Sequence, residues 1–134
     1  MKLVSACLLG FNVRYDGKNK LNKKVLKLSQ KEELIPVCPE IFGNLKIPRE
    51  PAEIRGKRVI AQSGKDITKQ FQKGAKMVLA IAKSFKIKEA IFAQDSPSCG
   101  CGRIYDGTFS GKKIKGDGIC TQLLKKNKIR VKSI

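Results

Sequence analysis

The stretch that decides the fold lies near the amino end and reads Leu3-Val4-Ser5-Ala6-Cys7-Leu8-Leu9-Gly10. Its apolar run has the length of a buried strand, and the glycine marks where that strand stops. The run is far shorter than the roughly 18 apolar residues that read as a membrane span, and no plausible signal cleavage site accompanies it. We therefore predict a strand over residues 3–9, with Cys7 near its carboxyl end, in a cytoplasmic protein without a membrane partner.

Two further apolar stretches end in the same way, at a loop that contains a cysteine. Residues 34–37 are followed by Cys38 and Pro39, and proline cannot continue an interior strand. Residues 90–93 lead into a loop rich in serine, proline and glycine that contains Cys99. Three cysteines thus follow three predicted strands.

Helical patterns lie between these strands. The clearest begins after Asp66, a residue type suited to capping a helix, and has apolar or small residues at spacings of three and four, namely Ile67, Phe71, Gly74, Val78, Ile81 and Phe85. A second helix is predicted near residues 119–126, and Leu21, Val25 and Leu28 also have helical spacing. The other segments are predicted as a loop over 41–51, a minor strand over 58–61, a glycine-punctuated segment over 105–118 and a last strand over 129–131.

This alternation of strands and helices predicts an α/β fold. We expect a single compact domain over residues 1–134, with a mostly parallel, Rossmann-like sheet flanked by helices and a glycine-rich edge. Ligands of such folds bind outside the carboxyl ends of the strands. Cys7, Cys38 and Cys99 all fall on that edge.

Composition excludes several function classes. The 134 residues are 41% hydrophobic and 30% charged, as expected of a soluble globular chain. There is no histidine, so mechanisms that need an imidazole base or ligand are excluded. The net charge of +18 would suit a nucleic-acid partner, but the excess is mostly scattered lysine and only 6% of residues are aromatic. A lysine-rich solvated surface is therefore the favoured interpretation of the charge.

The five cysteines indicate metal binding, redox chemistry or simple burial, because an odd number in a reducing compartment does not suggest a disulfide framework. Three separated thiolates without histidine suit an iron–sulfur cluster better than structural zinc, which usually takes closely spaced pairs. The spacing of Cys99 and Cys101 is too short for such a pair. If three thiolates bind a four-iron cube, one iron stays open and can hold a substrate atom as a Lewis acid.

Seven motifs in order along the chain carry a family resemblance, and they are Ser5-Ala6-Cys7-Leu8-Leu9-Gly10, Arg14-Tyr15-Asp16-Gly17, Val37-Cys38-Pro39-Glu40, Pro48-Arg49, Gly64-Lys65-Asp66-Ile67-Thr68, Ser96-Pro97-Ser98-Cys99-Gly100 and Ile104-Tyr105-Asp106-Gly107-Thr108-Phe109-Ser110-Gly111. Together they resemble the DUF523 family nearly end to end. That family includes thiouracil desulfidases, which use a four-iron four-sulfur cluster on three cysteines to remove sulfur from 2- or 4-thiouracil without net redox change.

The resemblance implies that this chain is a desulfidase with a [4Fe-4S] cluster on Cys7, Cys38 and Cys99, which leaves one iron open. Cys101 and Cys120 lie outside the motif positions. The chain departs from the usual pattern at Gly118-Ile119-Cys120-Thr121 and at Gly43-Asn44. A fourth ligand from Cys101 would close the open iron and remove the chemistry.

The hypothesis for the reaction is hydrolytic. The open iron binds the thiocarbonyl sulfur of a thiopyrimidine, water attacks the carbon, and uracil and sulfide are the products. Without histidine, proton transfer falls to carboxylates and hydroxyls, and Glu40 and Ser96 are the predicted catalytic residues because they lie close to Cys38 and Cys99. The structural alternatives are that Glu40 ties down its loop and that Ser96 forms a turn or caps a backbone amide.

Two other functions stay open. The substrate could be a thiolated RNA base, with the +18 surface binding phosphate. The chain could instead be a non-enzymatic zinc or iron–sulfur module that delivers metal or senses redox state. A free thiopyrimidine fits a single small domain better, and the oligomeric state is left undetermined.

Overall fold

The computed structural model describes residues 1–134 and contains eight strands, four α-helices and one 3-10 turn. The strands are β1 (Lys2–Ser5), β2 (Leu34–Val37), β3 (Ala52–Arg55), β4 (Arg58–Ala61), β5 (Glu89–Phe92), β6 (Arg103–Tyr105), β7 (Lys113–Lys115) and β8 (Arg130–Ser133). The helices are α1 (Lys23–Ser29), α2 (Pro39–Phe42), α3 (Thr68–Ser84) and α4 (Ile119–Lys126), and the 3-10 turn is Ala6–Leu9. None of the helices combines the length and the apolar character that crossing a bilayer requires.

A four-stranded sheet in the order β2-β1-β5-β8 organises these elements, and every pairing in it is parallel. The chain moves from β1 outward to β2, then passes back over β1 to reach β5. The strand order therefore reverses between β1 and β5, which is where parallel α/β sheets bind ligands. The predicted α/β fold with a parallel sheet is confirmed.

Helices cover both faces of this sheet, because neighbouring residues of a strand point to opposite sides. Leu3 packs in the core with Val78 of α3 and Leu124 of α4. Val4, the next residue of β1, packs with Val25 of α1 on the other face. Strands buried on both sides read as continuous apolar runs, which is why β1 stands out in the sequence.

Helices α2 and α3 approach each other so closely that only glycine fits at the contact. A Cβ atom on Gly74 would lie 1.7 Å from the carbonyl oxygen of Pro39, and one on Gly43 would lie 2.1 Å from that of Gln70. Gly74 is therefore part of a backbone-to-backbone contact as well as part of the apolar stripe of α3. This contact fixes the segment that directly follows Cys38.

The first strand is shorter than predicted. The ladder between β1 and β2 stops at the pair Ser5 and Val37, since Pro39 ends the partner strand two residues later. The chain then turns through Ala6–Leu9 and leaves this turn at Gly10, whose φ of 94° is a left-handed conformation that glycine adopts easily. Cys7 consequently lies in a turn after the strand, still at the carboxyl edge of the sheet.

Two antiparallel hairpins contain three strands, β3, β6 and β7, that the sequence did not predict. β3 pairs with the predicted strand β4, and β6 pairs with β7. The predicted loop over 41–51 also begins inside α2. These elements have only three or four residues, and β7 is exposed along its whole length, so they carry little hydrophobic pattern.

The ends of α3 differ slightly from the prediction. Its N-cap position is Ile67, and the Asp66 carboxylate accepts hydrogen bonds from the Thr68 amide and hydroxyl at 2.9 and 2.6 Å. Phe85 follows the last helical residue and is 57% exposed, so it does not belong to the buried stripe. Asp66 thus accepts hydrogen bonds from the first residue of the helix, although it lies one residue before the N-cap position.

Candidate active site

A cavity of about 360 Å³ lies at the carboxyl edge of the sheet, and Cys7, Cys38 and Cys99 all line it. Each cysteine follows a different strand, because Cys7 comes after β1, Cys38 after β2 and Cys99 after β5. Cavities of roughly 300 to 1,000 Å³ are typical of small-molecule sites. Cys101 and Cys120 do not line this cavity.

The loop around Cys99 is held by hydrogen bonds and by a close backbone contact. The Ser96 hydroxyl oxygen accepts hydrogen bonds from the amides of Ser98 and Cys99 at 3.1 and 3.0 Å. A Cβ atom on Gly118 would lie 2.5 Å from the carbonyl carbon of Ser98. The amide of Cys120 also donates to the Ser98 carbonyl at 2.9 Å. The start of α4 therefore sets the position of the Cys99 loop.

The three cavity thiols are protonated at neutral pH in the absence of a metal. Burial raises the pKa of the Cys7 thiol, and the neighbouring Cys38 raises it further. Burial also raises the pKa of Cys38, and it raises that of Cys99 well above the usual range, with smaller contributions from Cys120 and Cys38. Neutral buried thiols are poor nucleophiles, whereas a bound metal deprotonates its thiol ligands outright.

The donor set fits a metal cluster better than a single ion. No group of three or more Cys, Asp or Glu side chains surrounds a point where one metal ion could be held. The three thiols are nevertheless free, line one cavity and lie close enough to influence one another's pKa. A cluster that offers a separate metal atom to each thiolate suits thiols that share a cavity without surrounding a single point.

Glu40 and Ser96 line the same cavity and are connected through Ser98. The Ser98 hydroxyl donates to Oε2 of Glu40 at 2.8 Å, and Oγ of Ser96 lies 3.0 Å from Oγ of Ser98. The Ser98 hydroxyl has one proton and donates it to Glu40, so in the contact between the two serines the Ser96 hydroxyl is the donor. Both predicted catalytic residues therefore belong to one hydrogen-bonded chain.

Arg49 fixes the other oxygen of Glu40. Its Nε donates to Oε1 of Glu40 at 3.1 Å, and its remaining nitrogens donate to the carbonyl oxygens of Val13 at 2.8 Å and Lys46 at 3.2 Å. Arg49 and Glu40 are both largely buried, with side-chain exposures of 9% and 15%. The carboxylate is thus held in one orientation at the cavity wall.

Other polar and aromatic residues complete the cavity. Arg14, Glu53, Tyr105 and Phe109 line it, and Nε of Arg14 is buried without a hydrogen-bond partner. Asp95 also lines it and forms ion pairs with Arg103 and Lys113. The acidic residues Asp16 and Asp106 accept hydrogen bonds from backbone amides two residues further along, as expected of turn residues.

Comparison with known families identifies the family of this chain. The family model for 2-thiouracil desulfurase matches residues 3–134. The chain belongs to the 2-thiouracil desulfurase family. The resemblance that the sequence motifs indicated is thereby confirmed.

The chain is also similar to two individual proteins. The uncharacterized protein YbbK of Bacillus subtilis (strain 168) is 42% identical over 141 residues, which cover 98% of this chain and 93% of YbbK. A solved structure of TudS, a [4Fe-4S]-dependent thiouracil desulfidase, is also 42% identical. It superposes with a TM-score of 0.94 over 98% of this chain and 89% of the TudS chain. The fold of this family member is therefore that of TudS.

Sequence reasoning did not identify Ser98, the pairing of Arg49 with Glu40, or Glu53 as parts of the site. Ser98 stands inside the Ser96-Pro97-Ser98-Cys99 motif, so its position beside a cavity cysteine was a usable signal. Its contact with Glu40 joins residues 58 apart in the chain. Such a contact depends on tertiary structure and has no local pattern.

Proposed function

We propose that this chain removes sulfur from a free thiopyrimidine, 2- or 4-thiouracil, by hydrolysis that yields uracil and sulfide. The observation that carries the proposal is that three cysteines, Glu40 and Ser96 line a single cavity in a chain of the 2-thiouracil desulfurase family. The match to a [4Fe-4S]-dependent thiouracil desulfidase supports the same cofactor here. Five free cysteines also agree with a cytoplasmic location, where thiols stay reduced.

In this proposal Cys7, Cys38 and Cys99 hold a [4Fe-4S] cluster. When bound, the cluster supplies an iron without a protein ligand, a Lewis acid that polarises the thiocarbonyl group of the substrate. Burial raises the pKa of these thiols, and the positive charge of bound metal would lower it, so the thiols would release their protons on becoming ligands.

The hydrogen-bonded chain of Ser96, Ser98 and Glu40 accounts for the movement of the water proton. Ser96, Ser98 and Glu40 all line the cavity. Oγ of Ser96 already accepts two amide hydrogen bonds, so the water proton enters at Ser98, which passes its own proton to Oε2 of Glu40, 2.8 Å away. Ser96 donates to Ser98 and holds its hydroxyl in place. Arg49 keeps the carboxylate aligned for this transfer.

Anaerobic reconstitution with ferrous iron and sulfide tests the proposal. We expect a brown protein with four irons per chain that releases sulfide and uracil from 2- or 4-thiouracil. One bound zinc without turnover would support a non-enzymatic metal module and would contradict the desulfidase assignment.

Cysteine variants test the ligand set. Cys7→Ser, Cys38→Ser and Cys99→Ser should each abolish cluster assembly, as measured by iron content and visible absorbance. Cys101→Ser and Cys120→Ser are the matched controls and should keep both iron and activity, since neither residue lines the cavity. Loss of iron in Cys101→Ser would refute a three-ligand site.

The dependence of turnover and binding on salt concentration distinguishes a free-base substrate from an RNA substrate. We expect turnover of thiouracil to change little between 50 and 200 mM salt, because a small neutral ring releases no phosphate counterions. Binding of thiolated RNA, if it were the substrate, would weaken by orders of magnitude over such a salt range.

A further inference from the structure

Glu53 is a buried acidic residue that the proposed proton path does not use. It lies on β3, is 8% exposed and lines the cavity together with the cysteines. No lysine or arginine forms an ion pair with it, and the nearby Arg55 donates instead to the carbonyl oxygen of Gly107 at 2.6 Å. A buried carboxylate without a cationic partner needs hydrogen-bond donors from elsewhere.

Only one of the two Glu53 oxygens receives such donors from the protein. Oε1 accepts hydrogen bonds from the amides of Gly107 and Phe109 at 2.9 and 3.1 Å. Oε2 has no protein partner. It is not sealed in the core either, because Nε of Arg14 is the only buried side-chain nitrogen or oxygen that lacks a hydrogen-bond partner. Oε2 therefore keeps some accessible surface, and the cavity is the open space that the Glu53 side chain lines.

The two amides also fix where the carboxylate stands. They come from the turn between β6 and β7, and Gly107 is closely packed, because a Cβ atom there would lie 2.7 Å from the carbonyl oxygen of Ile54. Glu53 is therefore held between two hairpins with one oxygen occupied and one available. An ionised carboxylate is acceptor-only, so the available oxygen calls for a donor on the ligand.

We propose that Oε2 of Glu53 accepts a hydrogen bond from a ring N–H of the pyrimidine, and that Glu53 thereby selects the ring and its orientation. The inference rests on the proposed function, since it assigns a recognition contact within the same cavity. It makes the site selective for rings that carry an N–H at the recognised position. A methyl group at that nitrogen removes the donor and leaves the buried oxygen unpaired, which costs binding about tenfold or more.

Binding of uracil, the unreactive product, provides a test that does not depend on turnover. 1-Methyluracil and 3-methyluracil each lack one ring N–H. In isothermal titration of the cluster-loaded protein, uracil should bind about tenfold or more tightly than the methylated ring that lacks the recognised N–H. Glu53→Gln keeps an acceptor oxygen for the two amides and replaces Oε2 with an N–H donor. In this variant we expect uracil affinity to fall about tenfold and the preference over the methylated ring to disappear, while iron content and Tm stay at wild-type values.

Several outcomes would overturn the inference. Equal binding of uracil and both methylated rings by the wild-type protein does so without any variant. Unchanged selectivity in Glu53→Gln does so too, and a variant with lower Tm but unaltered selectivity shows that Glu53 only clamps the hairpins. These results are separable from the proposed function, because sulfide release by the wild-type enzyme is measured independently of ring selectivity.

Discussion

At the residue scale, the cavity combines neutral thiols with a carboxylate whose two oxygens have different partners. Arg49 holds one oxygen of Glu40, and Ser98 donates to the other. The thiols have no comparable cation within hydrogen-bond distance, and burial keeps their pKa high. In the proposed function, acid–base chemistry and metal binding would therefore fall to different residues of the cavity wall.

Replacing Ser98 with alanine should slow turnover while the cluster stays in place. The change removes the link between Ser96 and Glu40 but leaves both of those residues and all three cysteines. We expect kcat to fall by on the order of a hundredfold, as for Glu40→Gln, because both changes break the same proton path. Sulfide release under single-turnover conditions, with iron content as the control, measures this effect. Ser110→Ala, an exposed serine outside the cavity, should keep the wild-type rate.

The pKa shifts predict how the cluster-free protein reacts with iodoacetamide. Only the thiolate is alkylated, so a raised pKa moves the rate profile to higher pH. Between pH 7 and 9 the rates at Cys7 and Cys38 should still be rising steeply, and they should lie below those of the same residues unfolded in urea. Mass spectrometry of the alkylated peptides follows each residue. A profile of the folded protein that coincides with the profile in urea would contradict the burial effect.

At the element scale, the sequence predicts the long and buried elements well and the short hairpins poorly. β2 and α4 have the predicted bounds, and α3 begins one residue after the predicted stripe. Burial on one or both faces gives these elements a continuous or periodic apolar pattern. The hairpins of β3 with β4 and of β6 with β7 lack such a pattern, and only β4 was predicted. Glu53 was missed for this reason, since its amide partners lie 54 and 56 residues away.

The contact between α2 and α3 predicts that Gly74→Ala destabilises the protein. Alanine favours a helix interior over glycine by about 1 kcal/mol, so an open position would gain stability. Here the new Cβ would meet the Pro39 carbonyl oxygen at 1.7 Å. We expect a net loss of about 1 to 3 kcal/mol in urea unfolding, together with weaker cluster retention because α2 shifts beside Cys38.

The neighbouring variant Lys73→Ala serves as the control for Gly74→Ala. Lys73 is exposed on the same turn of α3, so its replacement should leave stability within about 0.5 kcal/mol of wild type. Equal stability of the two variants would show that α2 and α3 have room for a methyl group.

At the scale of the whole molecule, the cavity draws on most of the fold. The cysteines come from three loops of the parallel sheet, and the two hairpins supply Glu53, Tyr105 and Phe109. Each of the three cysteines follows a predicted parallel strand, and this was enough to predict that they share one edge of the sheet. It could not predict the network of Glu40 with Ser98, because that network depends on how α2 packs against the loop after β5.

Cluster removal should therefore lower global stability. A ligand that binds only the folded state stabilises it and raises Tm. In a chain of this size, each kcal/mol of added folding free energy raises Tm by about 2 to 8 °C. We expect the loaded protein to melt several degrees above the protein treated anaerobically with an iron chelator. Calorimetry measures the difference. Cys99→Ser should melt alike with and without chelator treatment, whereas Cys101→Ser should keep the wild-type difference.

The contact between Gly118 and Ser98 bears on the maturation of this protein. The loop that offers Cys99 depends on α4, which lies more than a dozen residues further along the chain. In a nascent polypeptide whose α4 has not yet docked, Cys7 and Cys38 would be in place but the loop of Cys99 would not. If these thiols hold the inorganic centre as proposed, we expect its insertion to follow the synthesis and docking of α4 rather than to accompany translation.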